Sequence, residues 1–155
     1  MRCIVRFFKI TLNESMQTSP RILGSFGVID KKAMNTASYK NINQRTVFNI
    51  ESNKHTIFTG IITRPWFLMS EELFEISKRY DPSLANRQII LIDRENKVTK
   101  LYYMPILQEG ENLPSNKAIF KLKNISEPIV RLDLAESILR RECRGIKLLP
   151  FEEEV

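Results

Sequence analysis

Cys143 stands among Arg140, Arg141 and Arg144 in the stretch RLDLAESILRRECRGIKLLPF. Guanidinium groups close to a thiol favour the thiolate and would make it a nucleophile. A working nucleophile also needs a base and a group that orients the base. The one histidine, His55, sits beside Lys54 at the start of a strand-like run, with no second histidine to share a metal and no GxSxG motif. It reads as a solvated or hydrogen-bonded strand residue. Ser70 is placed to cap a helix, and Ser137 falls inside one, where a small residue eases packing. GSFG at Gly24 to Gly27 lacks the GK[ST] ending of a phosphate loop and reads as a turn needing glycine at positive φ. Four positions after Leu139, Cys143 is expected on the core side of its helix.

Carboxylates form no better constellation. Asp93 and Glu95 flank a turn, Glu71, Glu72 and Glu75 ride one helix, and Glu152, Glu153 and Glu154 form an acidic tail. No histidine or cysteine converges on them, so neither a metal nor a cofactor is expected, and the chain does not read as an enzyme. The aromatic pairs Trp66-Phe67 and Tyr102-Tyr103 are candidates for stacking on a base or anchoring a partner. In strands, neighbouring residues face opposite sides, so one of each pair belongs to the core and the other is available. The candidate partner-binding residues are therefore Trp66, Tyr102, Tyr103, Arg140, Arg141 and Arg144. The arginine cluster has a structural explanation too, since cations in the last turn of a helix are favoured by roughly 0.3–1 kcal/mol each.

These side chains are positioned by a chain of 155 residues, 43% hydrophobic and 27% charged, the composition of one globular domain. A net charge of +6 permits nucleic acid, but basic residues are interleaved with acids and no nucleic-acid motif is present. Cys3 and Cys143 have no CxxC or Cys/His spacing, which suits a reducing cytoplasm. The start MRCIVRFFKITLNESM mixes charge into its apolar run, unlike a signal peptide, and no segment is long and apolar enough to suggest a membrane partner.

Alternating β-branched and aromatic residues predict a first strand over Arg2 to Ile10. Thr11 to Asn43 reads as irregular, with one short strand near Phe26 to Asp30. RTVFNIES and HTIFTGII, separated by Asn53 and Lys54, read as a hairpin, in which Val47, Asn49 and Glu51 alternate with Phe48 and Ile50 so that one face is wet. WFLM reads as a short strand. Ser70 then caps a helix over about 71–80, with Glu71 and Glu72 in its first turn and Lys78 and Arg79 in its last. QIILID and VTKLYYMPIL flank the turn Arg94 to Lys97 as a second hairpin, and a loop with Gly110 and Pro114 leads to the strand AIFKLKNI. A second helix over about 134–143 is expected to start at Asp133, bury Leu134, Ile138 and Leu139, and end at Gly145 before a last strand.

An internal echo links these elements. PWFLMSEELFEISKRY with RQIILID, and PIVRLDLAESILRREC with RGIKLLPF, both read as proline, strand, capped helix, strand. Pro65 is answered by Pro128 and Ser70 by Asp133. This is either a duplicated β-α-β unit or two separate ways of covering a sheet. The expected class is α+β, a mostly antiparallel or mixed sheet covered by two short helices.

The combination TRPWFLMSEELFEISKRYDP, IILIDRENK and LYYMPIL, followed by ISEPIVRLDLAESILRRECRGIKLLPFEE, resembles bacterial immunity proteins of polymorphic toxin systems, a large group once carried as a domain of unknown function. The resemblance covers roughly residues 56–151 and is strongest over 128–151. Leu132-Asp133 stands where a VS pair is common. The resemblance implies a single domain: a variable N-terminal part over 1–43, an immunity-like core over 44–151 and the tail over 152–155. It also implies a cytoplasmic, non-enzymatic protein that binds and neutralises a cognate toxin protein. The alternative from another class is a basic nucleic-acid-binding accessory protein.

Overall fold

The longest pairing in the computed structural model is the hairpin of Ala85–Asp93 (β6) and Val98–Ile106 (β7), in register from Ala85 opposite Ile106 to Asp93 opposite Val98. Described residues are 6–13, 19–52, 54–111, 116–141 and 143–151. Expectations for Arg2 to Val5 with Cys3, and for Asn53, Pro114 and the tail 152–155, lie outside them. The other strands are β1 (Phe7–Leu12), β2 (Arg21–Ile22), β3 (Arg45–Glu51), β4 (Ile61–Ile62), β5 (Leu68–Ser70), β8 (Glu109–Gly110), β9 (Ile119–Leu122), β10 (Ile129–Arg131) and β11 (Ile146–Phe151). Two helices, α1 (Glu71–Tyr80) and α2 (Leu132–Arg140), and short 3-10 turns at Lys31–Ala33 and Tyr39–Asn41 complete the order. A six-stranded sheet runs β2-β3-β6-β7-β5-β4 and a five-stranded one β11-β1-β10-β9-β8. The pairs β3 with β6 and β8 with β9 are parallel and the others antiparallel, so the class is α+β with mixed sheets, as expected.

The echo in the sequence becomes a shared topology. β5 and β6 both pair antiparallel to β7, so they run parallel with β7 between them, joined by α1. β10 and β11 flank β1 in the same way, joined by α2. The structural match is shifted by two residues from the proline-to-proline match: strand end Ser70 answers Arg131, and buried Leu73 answers buried Leu134. The helices pack on each other, with Tyr80 and Ser137 hydroxyls hydrogen-bonded, and fill a core with Ile10, Ile61, Met69, Ile119 and Val130 from both sheets. Each fully buried leucine here contributes roughly 1.5–3 kcal/mol.

Ser70 caps α1 as expected, accepting a hydrogen bond from the Leu73 amide at 3.3 Å. Several other expectations are corrected. α2 begins at Leu132 and ends at Arg140, and its N-cap position is Arg131. Asp133 lies inside the first turn, accepting from the Leu134 amide and gripped by Arg131 through two hydrogen bonds of 2.8 Å. The buried face is Leu134, Ala135 and Ile138, while Leu139 is 66% exposed, because at roughly 3.6 residues per turn it lies about 100° round the helix from Ile138 and further still from Leu134. Residues 26–30 form no strand: Gly24 and Gly27 adopt positive φ, which breaks extended backbone, and the strand lies earlier, at β2. The hairpin expected after β3 does not form. β3 takes β2 and β6 as neighbours, and the chain instead crosses to β4 at the opposite edge of the sheet.

Candidate partner-binding surface

Period-two alternation gives the large sheet two unlike faces. One carries Phe48, Ile50, Ile89, Leu91, Tyr102 and Met104 and is buried under the 22–42 segment and Trp66. Across the opposite face the register aligns three rows: Arg45, Gln88, Tyr103 and Met69; then Val47, Ile90 and Leu101; then Asn49, Ile92 and Thr99. α1 covers only the end nearest Met69, where the Phe74 ring stacks on Tyr103 with centroids 4.3 Å apart. The row of Val47, Ile90 and Leu101 continues beyond it, with Val47 53% exposed and Ile90 and Leu101 half-buried.

At the covered end a cleft of about 630 Å³ opens between α1 and the sheet, lined by Gln44, Glu75, Lys78, Arg79, Asn86 and Gln88 over the Phe74–Tyr103 stack. Lys78 lies over the Phe74 ring at 5.9 Å, a weak cation–π contact. Arg45, beside it, donates from Nε to Gln88 Oε1 at 2.8 Å. Among the described residues, none of Lys78, Arg79 and Arg45 is ion-paired. At the other end of β3, Arg94 donates to Asn49 and Arg21 pairs with Glu51.

Leu23 continues β2, its amide donating to the Asn49 carbonyl at 2.9 Å. The chain then turns through Gly24 and Gly27, both at positive φ, with the Val28 amide closing onto the Ser25 carbonyl. Phe26 stands between the glycines, completely exposed, and Leu23 and Val28 are exposed beside it. An isolated exposed apolar residue is ordinary, whereas three within six positions, on a turn that costs glycine conformational freedom, form a patch. By its sequence GSFG reads only as a turn. The available signal was its phenylalanine, since turn tips are normally polar.

The structure separates the residues singled out from sequence. Trp66 and Tyr102 are only 4% and 2% exposed and are not surface contacts. Trp66 packs on Phe48, and the Tyr102 hydroxyl donates to the Thr59 carbonyl at 2.6 Å. Burial raises the Tyr102 phenol well above its ordinary value. Phe67 and Tyr103, their neighbours, are the half-exposed members; alternation along β7 accounts for Tyr103, whereas Trp66 and Phe67 precede β5, which starts at Leu68 and not at Trp66 as expected. Arg140 ends α2, Arg141 is its C-cap residue and Arg144 lies beyond it; all three are exposed, and Arg144 lines a second cavity with Glu71, Glu72, Thr99 and Leu101.

Cys143 follows the helix and is half-buried. Burial raises its thiol pKa, Glu72 raises it further and Arg141 offsets them only in part, which is the opposite of nucleophile activation. His55 occupies an exposed turn. Among the described residues no three His, Cys, Asp or Glu side chains come together as a metal site, and no helix is long and apolar enough to cross a membrane. No family model matches the chain, and a search of curated proteins returns no match.

Proposed function

We propose that this chain is an immunity protein: a cytoplasmic, non-catalytic binder that neutralises a cognate bacterial toxin domain by protein–protein contact. The observation that carries the reading is Phe26, fully exposed on its two-glycine turn beside Leu23 and Val28. Aromatic anchors that fill a pocket on a partner dominate binding energy, and a neutralising complex buries roughly 1,600 Å² around a few of them. The resemblance over residues 56–151 supplies the toxin as partner class.

The test is co-expression with the toxin-like product of the neighbouring reading frame, together with a pull-down of its C-terminal part. Protection and a stable complex are expected, and Phe26→Ser should weaken the complex at least about tenfold, the range of an anchor residue. Absence of both protection and complex removes the proposal. A salt-sensitive complex with unrelated DNA or RNA would favour the nucleic-acid-binding alternative instead.

A further inference from the structure

We infer that the cleft between α1 and the open sheet face receives an acidic segment of a partner protein, with apolar side chains of that segment lying along the Val47, Ile90 and Leu101 row. The inference rests on the reading of the chain as a protein-binding protein and adds a second contact surface with the chemistry of what docks there.

Three features of the cleft point to that occupant. Lys78 and Arg79 line it against one carboxylate, Glu75, with Arg45 adjoining through its hydrogen bond to Gln88, and none of the three is ion-paired among the described residues. Glu75 lies three and four positions before Lys78 and Arg79 on α1, the spacing of a helical ion pair, yet no such pair forms. The excess positive charge is therefore available to an incoming carboxylate, and like charges on a wrong partner would be repelled.

Its floor is aromatic and its walls carry amides. The stacked Phe74 and Tyr103 rings are rigid apolar surface, and Gln44, Asn86 and Gln88 offer both donors and acceptors, as a peptide backbone requires. Phosphates need donors alone and gain nothing from the acceptors. The cleft also adjoins the Val47, Ile90 and Leu101 row directly, because Gln88 and Tyr103 precede Ile90 and follow Leu101 by one strand repeat on the same face. A segment leaving the cleft thus passes onto an apolar stripe, where a nucleic-acid backbone would be desolvated without compensation.

The experiment uses the full chain and a short fluorescein-labelled peptide of Glu and Asp with a central Leu-Phe pair. Its binding is followed by anisotropy and by backbone amide NMR shifts. Shifts are expected at Lys78, Arg79, Gln88, Ile90 and Tyr103. The doubly reversed variant Lys78→Glu, Arg79→Glu should weaken binding by about tenfold or more; losing two end-of-helix cations lowers its melting temperature by a few degrees, while its amide NMR spectrum stays that of the folded chain. The milder Arg79→Gln should give a smaller loss in the same direction. Shifts elsewhere, no saturable binding, or equal competition by a single-stranded oligonucleotide overturn the inference. Because the peptide reports without any toxin, failure of toxin neutralisation and failure of this site are read separately.

Discussion

Tyr102 shows how a single buried polar atom is committed. Its hydroxyl, sealed inside the large sheet's core, donates to the carbonyl of Thr59, and the Thr59 hydroxyl in turn bonds the Ile61 carbonyl at 2.6 Å. Tyr102→Phe strands a buried acceptor and should lower unfolding free energy by about 1–3 kcal/mol, read as a shifted urea midpoint at unchanged slope. Asp93 is held in the same fashion at the end of β6. Ser52 Oγ donates to it at 2.5 Å, and Asn96 donates from its side chain at 2.8 Å and its backbone at 3.1 Å. The Ser52 bond, against the opposing effect of desolvation, holds the carboxyl below its ordinary value of 3.8. A group depressed in the folded state contributes stability above its unfolded pKa and loses it as pH falls through the folded one. Asp93→Asn should therefore have a lower urea midpoint than the parent at pH 7, and the gap should close below pH 3.8. A gap that stays constant into acid would show that the charge of Asp93 is irrelevant.

At the scale of elements, the two split β-α-β units meet where residues 59–60 cross residues 144–145. The Gly60 amide donates to the Arg144 carbonyl at 2.8 Å, and the Gly60 carbonyl accepts from the Ser70 amide at 2.8 Å. Gly145 is required by its left-handed backbone and by contact, and Gly60 sits closely under a flexible side chain. A Cβ on Gly60 would lie 2.8 Å from Ile146 Cδ1, and one on Gly145, at φ +80°, would lie 2.8 Å from Thr59 Cγ2. Gly145→Ala carries a left-handed backbone cost of roughly 1–2 kcal/mol before that clash is counted. It should lower the melting temperature by more than a conformational penalty alone explains; a shift of a degree or less would mean that the crossing is loose. Much at this scale was legible. The Ser70 cap, the bounds of α1 and the β6–β7 hairpin follow from local signals, namely a capping hydroxyl, end charges and alternation across a polar turn. The start of α2 was not legible, because Arg131 offers no capping group and Asp133, the conspicuous capper, serves the Arg131 ion pair instead.

For the whole molecule, the question is which apolar surface stays open. α1 covers one end of the outer sheet face, and Val47, Ile90 and Leu101 continue beyond it toward the Leu23–Val28 loop. Phe26 touches open space rather than core, so Phe26→Ser should leave the urea midpoint of the isolated chain unchanged while weakening the proposed toxin complex. A destabilised Phe26→Ser protein would mean that the ring belongs to the fold.

The chain's own sequence determined its class, α1, the major hairpin and the recurrence of strand, helix and strand, because each rests on interactions between residues close along the backbone. Only the tertiary structure decided that Trp66 and Tyr102 are core, that Leu139 is exposed, that β3 joins β6 in parallel, and that the open face runs from the Lys78–Arg79 cleft past Val47. Alternation along a strand says which residues share a face, but the face that becomes covered depends on where distant helices and loops pack.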